Sequence, residues 1–381
     1  MSESSDAIAS LNMWLALPMD ISVKQVIERV RRAQDVVHVA VMPDVHLAGD
    51  VCVGTAMATH RLIYPSAVGG DIGCGMLAVA FNASADFVRE APHAGAFLRL
   101  LSQHIPAQRR HRTRTLPLPA HLEPGELSHP SLRSLTDGVG KLQFGTLGGG
   151  NHFIEMQADE TGQLWLMIHS GSRAVGQAVK EHHVARATIR SAGMMALDSD
   201  TPEGQAYLHD QEWARSFARA NREAMAQQVI GILRTRFGAE PIDGLTIGCD
   251  HNHVRREKHF GQSLLVHRKG AMPSEAGSIG VVPGSMGTLS FHVEGRGCPE
   301  SLSSSAHGAG RLFSRHAARR RFNRTDLRQQ MHGVWFDPRL ADELREESPR
   351  SYKDVQSVMR AQRDLVRMTR TLRPLLVYKG R

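Results

Sequence analysis

Apolar side chains first recur at helical spacing in Ile21, Val23, Val26, Ile27 and Val30, which predict an early amphipathic helix. The run Val36-Val37-His38-Val39-Ala40-Val41-Met42 is short and mostly apolar, as a buried strand requires. Pro43 lacks a backbone N–H and is expected to end that strand, delivering Asp44 and His46 to the next loop. Further strands are expected at Leu77–Phe81, Leu164–Ile168, Leu245–Ile247 and Leu264–Val266, and two of them lead into histidine-bearing loops. Strands of this kind give reactive loop residues a rigid base. The longest helical stretch covers 203–236, with Thr201 as cap, Pro202 in the first turn, and Leu208, Trp213, Phe217, Ala220, Ala224 and Ile232 on an apolar face before Gly238. A second helix is expected over 352–370, from Val355, Val358, Met359, Gln362, Leu365, Val366 and Met368. With no internal repeat and no interdomain linker, the expectation is one mixed α/β domain over 1–381. A basic, proline-dotted insertion is expected at 104–134 and a helical insertion at 198–238.

At 381 residues and 41% hydrophobic content the chain can bury a substantial core, which sets disorder aside. No apolar run approaches the roughly 18 residues of a membrane span, and Met1-Ser2-Glu3-Ser4-Ser5-Asp6 lacks the basic start of an export signal, so a cytoplasmic protein is expected. Cys52, Cys74, Cys249 and Cys298 are too few for a disulfide scaffold and wrongly spaced for a zinc ribbon; all but Cys74 read as small buried residues. The formal charge of +8 suits a polyanionic partner. The basic residues concentrate in Gln108-Arg109-Arg110-His111-Arg112-Thr113-Arg114 and in Arg315, Arg319, Arg320, Arg321, Arg324 and Arg328. The second group follows a candidate reactive loop and suits contact with a phosphate backbone.

Chemistry concentrates in glycine-rich loops. Gly69-Gly70-Asp71-Ile72-Gly73-Cys74-Gly75 packs a carboxylate and a thiol into one turn, a spacing that suits a metal ion as well as a plain packed turn. Histidines occupy four similar settings: His152 in Gly148–Glu155, His169 in His169-Ser170-Gly171-Ser172-Arg173, His251 in Cys249–His253, and His307 in Ala306-His307-Gly308-Ala309-Gly310-Arg311. Two ions sharing the Cys74 thiolate would use Asp71 and His152 on one side and His169 and His251 on the other. Donor logic by itself stops at a two-metal enzyme acting on phosphoesters. Zinc, cobalt or nickel would also suit this set. His46, His183, His253 and His267 read as supporting or surface residues.

These motifs, with Met42-Pro43-Asp44-Val45-His46, Ser351-Tyr352-Lys353-Asp354 and Lys379-Gly380, closely resemble the RtcB-type RNA-splicing ligases over nearly the whole chain. The resemblance implies an RtcB-like α/β fold with a central metal-binding cleft formed by sheets and flanking helices. It implies GTP-dependent joining of RNA 3′-phosphate or 2′,3′-cyclic phosphate ends to 5′-hydroxyl ends, with two manganese ions. Asp71, Cys74, His152, His169 and His251 match the metal ligands. His307 matches the nucleophile that forms a covalent histidine–GMP adduct, with Asp44 assisting. Asn151 and Arg311 suit phosphate contacts, Gly308 and Gly310 suit close approach of the backbone to phosphate, and Glu155, Tyr352 and Lys379 match guanine-recognition positions. Pro283, Gly284, Ser285, Met286 and Gly287 match the nucleotide-cradling loop.

The chain departs from the common pattern at Ala306, Ala174 and Leu47-Ala48-Gly49-Asp50. Such changes bear on end preference, guanylylation rate and dependence on an archease-type activator. A compact bacterial repair enzyme, monomeric, acting on tRNA or ribosomal RNA is the expectation. A cyclic phosphodiesterase that opens RNA ends without sealing them is the alternative, and an RNA-binding scaffold using the arginine clusters comes third.

Overall fold

A computed structural model describes residues 8–380; the opening segment Met1–Asp6, read above for an export signal, lies outside the described residues. Two sheets carry the architecture. A five-stranded sheet runs in the order Ser10–Met13, Val36–His46, Val53–Thr59, Gln262–Lys269 and Asn252–His259. A seven-stranded sheet runs Pro241–Asp250, Gly75–Ser84, Gln163–Ser170, Phe153–Asp159, Val366–Tyr378, Ser290–Gly295 and Ile279–Val282. Each expected strand is found within a longer one. Ala40, Met42, Ala56, Leu264 and Val266 of the smaller sheet share a core with Val282, Phe291 and Val293 of the larger, so the two are packed together by apolar burial.

The helix Ile21–Arg31 begins at Asp20, whose side chain accepts from the Ser22 N–H at 2.8 Å. The long helix spans Pro202–Phe237, capped by Thr201 at its start and closed by Gly238 in the left-handed conformation. Phe217, Trp213 and Ala220 pack beside Val254 and Leu265, while Met225, Val229 and Leu233 pack against the larger sheet, so one helix braces both layers. Its buried side is not wholly apolar: Asp210, Gln211, Asn221 and Arg222 are buried too.

Two expectations are corrected. Pro43 does not end its strand, which continues to His46 and carries Asp44 within it. Pairing with Ser10–Met13 ends at Val41, and pairing with Val53–Thr59 lapses between Val41 and His46, so the missing N–H falls where no ladder bond is required. The expected helix over 352–370 is only Val355–Ala361, and Val366 onward is strand. The segment Val366–Tyr378 lies between two antiparallel partners whose ladder bonds override its local helical spacing.

Candidate active site

Register explains why distant loops meet. In the larger sheet Asp250 pairs with Gly75, Gly75 with Ser170, and Phe153 with His169. The residues flanking those positions, Cys74, His152, His169 and His251, therefore converge at one edge of four adjacent strands. His251 is also where the chain crosses from the larger sheet to the smaller, and its N–H donates to the Cys74 carbonyl at 2.9 Å. The buried Arg222 guanidinium ties the corner together by donating to the carbonyls of Gly73 at 2.8 Å and Ser170 at 2.9 Å.

Donor atoms of Cys74, His169 and His251 lie within 4.8 Å of one another, and so do those of Asp71, Cys74 and His152. The thiol belongs to both groups, in the arrangement expected of a bridging ligand. Cys74 Sγ is 3.1 Å from His169 Nε2 and 3.5 Å from His152 Nε2, while His152 Nε2 is 2.9 Å from Asp71 Oδ2. The opposite ring nitrogens are held by backbone: His152 Nδ1 donates to the Leu147 carbonyl at 3.0 Å and His169 Nδ1 to that of Asn151 at 3.2 Å. Backbone carbonyls only accept, so Nδ1 of each ring carries a proton and Nε2 is the nitrogen turned to the cluster.

Burial, reinforced by neighbouring histidines, holds His169 and His251 well below the usual histidine range, hence neutral and ready to ligate. Burial would raise the Asp71 carboxyl, but His152 beside it holds it at about 2. Burial and Asp71 push the Cys74 thiol well up, a balance that a bound cation reverses. One sulfur, three imidazoles and one carboxylate with these orientations fit two divalent cations.

His307 follows the short strand Ser304–Ala306, whose pairing with Ala271–Pro273 places it next to His251, with ring centroids 4.4 Å apart. Its Nδ1 lies 2.7 Å from Oδ2 of Asp44, a fully buried carboxylate whose oxygens have no well-aligned hydrogen bond among the described residues. Lys353 Nζ donates to the carbonyls on either side of Asp44, at 2.9 Å to Pro43 and 2.7 Å to Val45. Gly310 has φ +75°, and a Cβ there would sit 2.2 Å from the Asp44 carbonyl, so its bare backbone serves the contact between these two segments.

A cavity of about 810 Å³ opens over this cluster. Its walls include Asp71, Cys74, His169, His251, His307, Asn151 and Glu155, and also Pro283, Gly284, Ser285, Met286, Gly308, Gly310, Arg311, Tyr352 and Lys379. Asp44, His152 and Gly287 do not line it. Asp44 and His152 stand behind side chains that do, and Gly287 packs where a Cβ would meet the Gln330 carbonyl at 2.6 Å. Gly308 has ordinary room for a Cβ, 3.4 Å from the nearest atom.

Glu155 is buried, accepts from Gln157 Nε2 at 2.6 Å, and is pushed up to about 8 by burial. Arg311 arrives already engaged, donating to Glu347 at 3.0 Å, the Tyr352 hydroxyl at 3.1 Å and the carbonyls of Phe313 and Glu346. Ala306 is buried, its N–H bonded to Gln362. Ala174 opens a helix directly after Arg173, which adopts φ 58°. His46, set aside earlier, lines the cavity, whereas His183, His253 and His267 are buried supports bonded to Asp210, Arg268 and the Tyr64 N–H. Of the cysteines read as buried, Cys52 is; Cys249 and Cys298 are half-buried.

Four cavity or supporting residues escaped the sequence reading: Lys269, Arg222, Lys353 and Glu347. Lys269 lines the cavity and donates to the carbonyls of Ala48 and Val51, with burial lowering it to about 8. Arg222 had a faint signal, a charge on the otherwise apolar side of a helix. Lys353 lay inside a quoted motif without a role. Glu347 had no signal.

A mixed α/β protein that joins a thiol-centred cluster of metal donors to a carboxylate-backed imidazole in one cleft belongs to the metal-assisted enzymes of phosphate chemistry. A profile of the family described as tRNA-splicing ligase RtcB matches residues 26–126 and 123–380. The RNA-splicing ligase RtcB of Escherichia coli K12 is 36% identical over 405 aligned positions, covering 98% of each chain. The RNA-splicing ligase RtcB2 of Escherichia coli ATCC 25922 is 28% identical, covering 100% of this chain and 97% of that protein. The tRNA-splicing ligase RtcB of Thermococcus kodakarensis is 28% identical, covering 89% of this chain and 87% of that protein. The chain belongs to the RtcB tRNA-splicing ligase family. No helix among the described residues is long and apolar enough to cross a membrane.

Proposed function

We infer that this chain is a GTP-dependent RNA ligase that joins 3′-phosphate or 2′,3′-cyclic phosphate ends to 5′-hydroxyl ends. The observation that carries the reading is the placement of His307: Nδ1 against buried Asp44, ring against His251, and one face in the cavity that also holds Glu155, Tyr352 and Lys379. With Asp44 retaining the proton on Nδ1, Nε2 carries the free lone pair. Nε2 attacks the α-phosphorus of GTP, the bond to the β-phosphate oxygen breaks, and pyrophosphate leaves. A cyclic end is first opened by water, which breaks the bond to O2′ and leaves a 3′-phosphate. The 3′-phosphate then takes the guanylyl group from His307, and the 5′-hydroxyl attacks the activated phosphorus and expels GMP.

Two divalent ions, manganese being characteristic of the family, would be held by Asp71, Cys74, His152, His169 and His251 and would neutralise phosphate oxygens during these transfers. Glu155 accepts from the guanine N1 and amino groups, Tyr352 packs on the base, and Asn151 donates to phosphate. The loop Pro283–Gly287 flanks the nucleotide, and Arg311 adds positive charge while remaining tied to its own partners. Residues 1–381 act as one catalytic domain, with 104–134 and 198–238 as insertions, in a cytoplasmic monomer. An archease-type activator is its protein partner.

Incubation with α-labelled GTP and manganese leaves label on the protein, and His307→Ala abolishes it. Absence of label, or label surviving in that variant, overturns the reading. Opening of cyclic ends without any sealed product would instead mark a phosphodiesterase.

A further inference from the structure

Glu347 sits at the end of the short turn Glu343–Glu347 and is 2% exposed. Its oxygens are shared by four side chains from three separate parts of the chain. Oε1 accepts from Arg311 Nη1 at 3.0 Å and Arg315 Nε at 3.4 Å. Oε2 accepts from the Tyr352 hydroxyl in a very short contact and lies 3.1 Å from Lys379 Nζ. The Arg311 guanidinium is also 5.0 Å from the Tyr352 ring centroid, so the ring is held at its hydroxyl and over its face. Arg311, Arg315, Tyr352 and Lys379 all line the main cavity, and Glu347 stands behind them.

Burying a charged cluster is a poor way to gain stability, because desolvation offsets the attraction and an apolar cluster of the same volume does as well. What the cluster achieves is orientation. Lys379 is near enough to lower the Glu155 carboxyl electrostatically, yet its hydrogen bond goes to Glu347. Glu155 is thus left with Gln157 as its neighbour and with acceptor capacity to spare.

We propose that Glu347 is the positioning residue of the nucleotide pocket: it fixes the Tyr352 ring and keeps the Lys379 ammonium off Glu155, so that Glu155 can select guanine over adenine. Without Glu347, Lys379 turns to Glu155 and neutralises the acceptor that reads the guanine edge. This rests on the ligase reading for the identity of the nucleotide.

The test is equilibrium binding of α,β-methylene GTP and its ATP counterpart to wild type, Glu347→Gln and Glu347→Ala. Glu347→Gln keeps the side-chain volume and isolates the charge. Removing one partner of a buried charge cluster is expected to weaken binding of the GTP analogue by about tenfold or more and to shrink the preference over the ATP analogue. Glu347→Gln melts at a lower temperature, because neutralising one member of a buried charge cluster strands the others. It remains folded at the assay temperature, and its guanylylation rate returns towards wild type at saturating GTP. A folded Glu347→Gln with wild-type affinity and wild-type preference overturns the proposal, as does a defect confined to the saturated rate. Wild type that binds the analogue but is never labelled by GTP refutes the ligase reading while leaving this one standing.

Discussion

Replacing Gly310 by alanine tests how tightly the imidazole is placed. The new Cβ would lie 2.2 Å from the Asp44 carbonyl oxygen at φ +75°. A carbon–oxygen contact needs about 3.3 Å, so one segment must retreat by roughly 1 Å. The left-handed backbone adds about 1–2 kcal/mol for a residue with a Cβ. The two segments forced apart are those that bring Asp44 and His307 to 2.7 Å, and Lys353 N–H donates to the Gly310 carbonyl from the same corner at 2.9 Å. A reacting group displaced by ~1 Å loses ~10²-fold in rate. Single-turnover transfer of label from α-labelled GTP to the protein measures this, with retained manganese measured in parallel, because the five metal donors lie on other segments. Labelling of Gly310→Ala at the wild-type rate, with metal retained, would refute the argument that this contact sets the nucleophile.

Asp44→Asn removes the charge facing an imidazole that becomes cationic on accepting the guanylyl group; a charge-assisted contact of about 1.5–3 kcal/mol predicts a ~10–150-fold slower labelling rate, and an unchanged rate removes Asp44 from the mechanism. Cys74→Ser takes away the atom common to both donor groups, so metal content after dialysis, read by elemental analysis, drops for both ions together; loss of only one argues against bridging. Since burial raises Glu155 to about 8 and guanine needs its carboxylate, GTP binding expels a proton below that pH. Affinity should therefore weaken by about tenfold per pH unit below 8 and level off above it, and Glu155→Gln should abolish the slope. Arg222→Met strands the buried carbonyls of Gly73 and Ser170; at ~1–3 kcal/mol each the expected loss is about 2–6 kcal/mol in denaturant unfolding, and a loss near zero would show that the corner does not need the guanidinium.

Element types along most of the chain were legible because burial leaves a periodic trace: the helices beginning at Ile21 and Pro202 and the strands around Leu77, Leu164, Leu245 and Leu264 all follow their spacing. The reading failed at Pro43 and after Ala361, where pairing with neighbouring strands outweighs local preference. Glycine-rich loops around Asp71, Cys74, His152, His169, His251 and His307 marked the chemistry, since ligands and nucleophiles need both a reactive group and a backbone free to turn. Gly310 was assigned to phosphate contact, yet its missing side chain makes room for the Asp44 carbonyl. Glu347 could not be found in advance, and Arg222 only faintly, because a buried charge is defined by the partners that surround it.

By itself the amino-acid order settled which donors and which acids, bases and nucleophiles are present, and the helices and strands that carry most of them. Only the tertiary structure decided that Cys74 serves two donor groups, that Asp44 stands behind His307, and that Glu347 gathers Arg311, Tyr352 and Lys379. The reason is physical: periodicity records how each segment meets the core, while strand register and the pairing of buried charges are relations between segments far apart in the chain.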